Sequence, residues 1–560
     1  MKKQMSRRRF LERSAAVAGF GVAARPSFAA VEARFDLVLK GGTILDGTGA
    51  PAFPGDIGIV GDRIAAVGDI APTQAARTVD VRGLHVCPGF IDIHSHSDGD
   101  ILAYPTADSR VRQGITTELT GNCGSSAAPL LGPIAEERRA GFRRDGISAD
   151  WTDVAGYFAR VERERVAINH AMLLGQGTLR ECAAGVADRP LSADETKAVL
   201  RAVEEGMEQG AFGLSTGLEY TPGRFTPTGE IVAMARLVAR RGGLYTSHIR
   251  NEERGLLEAT DEAIRIGRLA GVRVEVSHVK ASGRGNWGKQ AASLALIEAG
   301  RRDGVEVLGD AYPYTAYSTG LTVTFPGWSL DGGTPAVLAR LRGAERDRIR
   351  KEVLDYVLNG DPGDFELIVI SSVQTAKNRP LVGKNLSEIA SFWKVEPVEA
   401  LLRLVDEEDT AVSYVGHGMS PDNVARVLQH PLLMIGSDGS TMAPTGRAAE
   451  TRPHPRSYGT CPRVLGYYAR ERHLFDLPTA VRKMTSLPAD QIGLKDRGRL
   501  ARGRNADVVV FDAATVIDVA TFEDPHRYPV GIVHVFVNGV SVVDRGAHTG
   551  ARPGQVLRYT

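Results

Sequence analysis

Four histidines, a cysteine and an aspartate stand at the ends of strand-like runs in this chain, and together they make a metal-binding set. The first run ends Ile91-Asp-Ile-His94-Ser-His96-Ser-Asp98. Residues two apart on a strand point to the same side, so His94 and His96 can present two imidazoles to one ion. The second run ends Gly121-Asn-Cys123-Gly, the fifth Thr246-Ser-His248, the sixth Val276-Ser-His278-Val-Lys280 and the eighth Ile435-Gly-Ser-Asp438-Gly. One histidine in an apolar strand is usually a packed core residue. Six nitrogen, sulfur and oxygen donors at five strand ends are a zinc set instead. Cys123 reads as a ligand more than as a small buried hydrophobe, and its place suits a bridge between two ions. Zinc in such a rim polarises a carbonyl and brings the pKa of bound water towards ~7. Asp438, on the last strand, is positioned to take a proton from that water. Cys123 as free nucleophile is a weaker reading, given the histidines around the same rim, and a serine nucleophile is not expected because no Gly-x-Ser-x-Gly elbow is recognised.

The elements that must position these groups follow from the rhythm of the middle of the chain. Eight apolar runs alternate with longer amphipathic stretches: Val86–Ser95, Thr116–Cys123, Ala167–Leu174, Gly210–Gly217, Gly243–Ile249, Val272–Val279, Val305–Tyr312 and Leu432–Asp438. Strand–helix alternation repeated eight times predicts an α/β fold, a (β/α)₈ TIM-like barrel, with functional groups at the C-terminal ends of its strands. The gap 313–431 is too long for one crossover and predicts an inserted subdomain, around 316–410, containing the strand-like Glu366-Leu-Ile-Val-Ile-Ser. Both ends have a different texture, with short β-type runs and Gly or Asp turns, including an Asn538-Gly539 hairpin signal. Residues 30–85 and 490–560 are therefore expected to form one β-sandwich domain, and 86–489 the barrel.

Composition narrows the class. Hydrophobic residues at 43% and charged residues at 24% of 560 fit a globular protein and exclude low-complexity disorder, collagen and coiled coil. A net charge of +1 gives no basic excess, so nucleic acid is not an expected partner. Four cysteines (Cys87, Cys123, Cys182, Cys461) cannot build a disulfide scaffold at this length. No apolar run reaches ~18 residues, so no stable membrane insertion is expected. Residues 1–29 carry Arg7-Arg8-Arg9-Phe10-Leu11, a short apolar stretch and small residues near Ala29, which reads as a twin-arginine-type export signal. The mature protein is then expected in the periplasm.

The His-x-His on the first strand, the single histidines on the fifth and sixth and the aspartate on the eighth resemble the metal-dependent amidohydrolase superfamily over nearly the whole mature chain. Gly121-Asn-Cys123-Gly and the absence of a lysine in Ala211-Phe-Gly-Leu-Ser-Thr-Gly-Leu-Glu narrow this to the N-acyl-D-amino-acid deacylases. Ser247-His248-Ile-Arg-Asn-Glu, Asp310-Ala-Tyr312-Pro-Tyr-Thr-Ala and His454-Pro-Arg-Ser-Tyr-Gly-Thr are similar to that group too; Cys461 after Gly-Thr departs from its pattern. The resemblance implies that Cys123, His248 and His278 hold a tight Zn²⁺, with His94, His96 and Asp438 around a second, weaker position. It also implies that Lys280, Tyr312 and Ser318 meet the carboxylate of a small-molecule substrate, an N-acyl-D-amino acid. The same rim also fits an amidohydrolase acting on a cyclic amide, dipeptide or lactone, or a periplasmic protein that binds metal without turnover.

Overall fold

A computed structural model describes residues 35–71 and 74–560; the export signal read in residues 1–29 lies outside them. The eight runs become eight parallel strands: β1 Phe90–Asp92, β2 Ile115–Thr120, β3 Asn169–Met172 with its continuation Leu174–Gly175, β4 Gly213–Gly217, β5 Leu244–His248, β6 Arg273–Val276, β7 Val307–Ala311 and β8 Leu433–Ile435. Pairing runs from β1 through β2 to β3, and from Leu174–Gly175 through β4, β5, β6 and β7 to β8. The ring closes where Ser95 bridges Gly439 and the amide of Asp438 donates to the carbonyl of His94 at 2.8 Å. Every residue of these strands except Arg273 is buried, so they read as continuous apolar runs and not as alternating ones. Amphipathic helices pack outside. Ala193–Glu208 opens with a capping box between Ser192 and Glu195, and Leu256–Ala270 stops at Gly271, whose φ of +69° suits glycine.

Segments from both ends of the chain form one nine-stranded sheet. Phe35–Ile44 pairs with Phe53–Val60, is parallel to Ala75–Asp80 along its first half, and turns to His85–Pro88 past a bulge between Leu39 and Gly42. Val508–Phe511 joins His85–Pro88 to Ile532–Val537, which turns through Asn538-Gly539 into Val540–Asp544. Alternate residues of Val508–Phe511 serve two cores: Val508 and Val510 pack with Leu37, Ile57 and Phe536, while Val509 and Phe511 join the barrel.

Two boundaries differ from those read in the sequence. The run Val86–Ser95 is divided, because Val86 to Pro88 pair with Val508–Phe511 and only Phe90–Asp92 enters the barrel. Gly89 makes the crossing possible: a Cβ there would lie 2.1 Å from the hydroxyl oxygen of Thr116. The insertion also runs past residue 410. Its central strand, Ser413–Gly416, lies between Tyr317–Gly320 and Ile368–Ser372 in an antiparallel sheet with its own apolar core around Val353, Ile370, Leu401 and Tyr414. Among the described residues no helix is long and apolar enough to cross a membrane.

Candidate active site

The ends of β1, β2, β6 and β8 bring His94, Cys123, His278 and Asp438 together, with one donor atom from each lying within 4.8 Å of the others. Nε2 of His94 is 3.3 Å from Sγ of Cys123 and 3.4 Å from Oδ1 of Asp438; Nε2 of His278 is 3.5 Å from the same sulfur. His96 places Nε2 2.9 Å from Oδ1 of Asp438. His248 packs edge-on against His278, with ring centroids 4.5 Å apart. All six sequence-predicted ligands thus share one rim. Cys123, His278 and Asp438 reach it with φ of 51°, 35° and 51°, a left-handed backbone that non-glycine residues adopt at a cost. Gly121 before Cys123 is required as well, since its φ is +76° and a Cβ would lie 2.1 Å from the carbonyl oxygen of Leu173.

Three of the imidazoles are held by carboxylates. Nδ1 of His94 pairs with Asp310 at 3.1 Å and Nδ1 of His278 with Glu252 at 2.9 Å. His248 turns Nε2 to Glu219 at 3.2 Å and leaves Nδ1 buried without a partner. A buried imidazole nitrogen with nothing to bond, beside a thiol and two further imidazoles, fits a metal ligand whose other nitrogen is fixed by a carboxylate. The electrostatics agree. Burial alone would raise the Cys123 thiol, but His94 and His278 hold it well below its ordinary value. Burial is likewise outweighed at Asp438, where Arg456, His94 and His96 keep the carboxylate ionised. The donor set, one thiolate with imidazoles and a carboxylate, fits zinc.

The residues expected to grip the substrate are placed unequally. Ser318, on Tyr317–Gly320, lines a cavity of about 310 Å³ together with His96, Cys123, His278, Asp438 and Arg456. Lys280 is buried with its ammonium already bonded to Glu252 at 2.5 Å and close beside the ring of His278. Tyr312 does not line this cavity; its ring lies between Arg456 at 4.9 Å and Lys280 at 6.0 Å, and its hydroxyl faces the sulfur of Met419. The reading of the sequence gave no role to Glu219, Glu252 or Arg456. Arg456 ion-pairs with Oδ2 of Asp438 at 2.7 Å and donates to the carbonyl of Ser318 at 3.3 Å. Glu219, Glu252 and Arg456 all lie inside motifs recognised in the sequence, so their types were visible and their convergence was not. The expectation that the chain lacks a serine-elbow spacing is corrected: Gly213-Leu-Ser215-Thr-Gly217 has it, but it is a buried strand whose serine bonds the backbone of Gly121 and Gly124, so Ser215 is no nucleophile.

The chain matches the amidohydrolase family over residues 77–315 and 334–543. It is 39% identical over 528 residues to an N-acyl-D-glutamate deacylase of Alcaligenes xylosoxydans xylosoxydans, covering 94% of this chain and 97% of that protein. A D-aminoacylase of the same organism is 38% identical, covering 94% and 98%. The crystal structure of N-acyl-D-glutamate deacylase from Bordetella bronchiseptica, complexed with zinc and a phosphonate inhibitor that mimics the tetrahedral intermediate, is similar with a TM-score of 0.80 and 37% identity, covering 94% of this chain and all of that one. A closed (β/α)₈ barrel with a metal rim at its strand ends, a β domain made from both chain ends, and relatives matched end to end lead to one conclusion: this chain belongs to the amidohydrolase family.

Proposed function

We infer that this chain is a zinc-dependent N-acyl-D-amino-acid deacylase, which hydrolyses a linear amide to a carboxylate and a free D-amino acid. The observation that carries it is the ionised carboxylate of Asp438 set among His94, His96, Cys123 and His278 on the wall of a 310 Å³ cavity, in a chain 39% identical to a deacylase of this kind. Zinc bound there supplies Lewis acidity at the scissile carbonyl and makes water a stronger acid. Asp438 accepts a proton as the water oxygen joins the carbonyl carbon, and returns it to the amide nitrogen as the C–N bond breaks. Arg456 keeps that carboxylate aligned through its 2.7 Å ion pair. We assign the tight ion to Cys123, His248 and His278, supported by the unpartnered Nδ1 of His248, and a second, weaker position to His94, His96 and Asp438. We place the substrate carboxylate at the Arg456–Ser318 side of the cavity, with Lys280 and Tyr312 behind it. Pinning the carboxylate and the carbonyl leaves handedness to decide whether the side chain meets space or a wall.

The test is a panel of N-acetyl-D- and N-acetyl-L-amino acids, with hydantoins for comparison, on zinc-loaded protein, scored for released amine. Turnover confined to D-amides is expected; preference for L-amides, or for rings alone, overturns the reading. We further propose export through Arg7-Arg8. Replacing both with lysine should retain the precursor in the cytoplasm, and undiminished periplasmic activity would refute it.

A further inference from the structure

The cavity at the metal rim continues into a side pocket of about 30 Å³, and the two share Tyr220, His278, Ser318, Thr319 and Asp438. A substrate held at the rim therefore has this pocket beside it. Its metal-rim end is lined by His248 and by the Glu252–Lys280 ion pair; away from the rim Glu219 and Glu253 face Tyr356, Asp361 and Tyr414 of the insertion. Glu253 is 4% exposed and Asp361 is 3% exposed. Their hydrogen bonds come from neutral donors: the hydroxyl of Tyr356 at 3.2 Å and the amide of Asn251 at 2.6 Å for Glu253, and the hydroxyl of Ser282 at 2.8 Å for Asp361. Among the described residues neither has a cationic partner. Lys280 is spent on Glu252, and Arg224, outside the lining, donates to the carbonyl of Phe325. Two carboxylates buried in the wall of one small pocket without a counter-ion are costly, and the strain shows. Burial, then Glu219 and Asp361, push Glu253 well above the ordinary carboxylate range, and burial takes Asp361 to about 6.

We propose that this pocket receives the side chain of the D-amino acid and selects a primary ammonium there, so that the preferred substrates are Nα-acyl-D-lysine and its shorter homologues. The pocket holds roughly two water molecules' worth of space, which suits an ammonium and its last methylene and excludes an aromatic ring. An ammonium in the pocket draws these two acids back towards their ionised forms and donates charge-assisted hydrogen bonds to the carboxylate it reaches. A carboxylate side chain would meet this acidic wall with no counter-ion to spare and be rejected.

This proposal rests on the deacylase reading, and its test separates the two. Zinc-loaded protein is assayed for kcat/KM on Nα-acetyl-D-lysine, N-acetyl-D-methionine of similar length, and N-acetyl-D-glutamate. D-lysine is expected to exceed D-methionine by roughly tenfold or more, the worth of one charge-assisted pair, with D-glutamate slowest. Glu253→Gln and Asp361→Asn should each collapse the lysine-to-methionine ratio. That ratio is taken on one protein sample, so a misfolded fraction cancels from it. Good turnover of D-methionine with no lysine preference overturns the ammonium pocket and leaves the deacylase reading standing. Failure on all three D-amides, with turnover of rings or L-amides, overturns both. A lysine preference that survives both substitutions overturns the assignment to these carboxylates.

Discussion

Cys123 and Asp438 stand a few ångströms apart with different duties, and substitution should separate them. Cys123→Ala is expected to bring zinc content well below one per chain, because a thiolate bond to the ion is lost. Full occupancy would make the thiol structural. Asp438→Asn keeps the shape and one oxygen but removes the proton acceptor, so kcat should fall by roughly 10²–10⁴-fold with the tight zinc retained; near-normal turnover would assign the proton to another group. The convergence of His94, His96, Cys123, His248, His278 and Asp438 on one rim was legible in the sequence because each ends a run that could be recognised. The places of Glu219, Glu252 and Arg456 were not, since nothing in their spacing says that a loop after β4, a loop after β5 and a helix beyond β8 meet behind the same rim. Lys280 shows the reverse limit: its direction was readable from its place two residues past His278, and its pairing with Glu252 was not.

Between elements, Arg110 ties the first strand end to the last. It projects from the short helix Asp108–Val111 and is fully buried. Its guanidinium donates to Ser437 Oγ at 2.8 Å, to the carbonyl of Gly439 at 2.5 Å and to Ser95 Oγ at 3.0 Å, and lies 3.2 Å from Asp92. Those partners flank Asp438 on one side and His94 on the other. Arg110→Met leaves the buried carboxylates of Asp92 and Glu118 without this cation, which should cost about 3–5 kcal/mol and loosen the rim. A lowered melting temperature together with reduced kcat/KM is expected, and an unchanged pair of values would show the tie to be idle. The strands themselves were evident in the sequence, because burial on both faces writes them as apolar runs. Arg110, in Asp-Ser-Arg-Val-Arg-Gln, looks like one charge among others on a helix surface, and only barrel closure reveals its role.

For the whole molecule, the ligand cluster makes the stability of the metal-free protein depend on pH. Against the cost of burial, Asp438 and Cys123 raise His96 to about 9, and Glu252 and Cys123 raise His248 to about 10; an unfolded imidazole titrates at ~6.5. Protonation therefore favours the fold fully below ~6.5, and that contribution is lost as pH rises through 9 to 10. The lowered Cys123 thiol acts in the opposite sense, losing its contribution as pH falls, but it is one group against two. The melting temperature of the metal-free protein should fall between pH 7 and pH 10, and the zinc-loaded protein, whose imidazoles are already neutral, should show a flatter profile. Equal profiles would mean that the imidazoles are not charged in the metal-free fold. The sheet made from both ends of the chain has a consequence of another kind, in the order of synthesis. His85–Pro88 leaves the ribosome early, while Val508–Phe511, which pairs with it along its whole length, follows some 420 residues later. At ordinary elongation rates that strand waits on the order of tens of seconds for its partner. Closing the sheet is among the last acts of a newborn chain, and a ribosome that stops short of residue 508 releases a barrel with that edge uncovered.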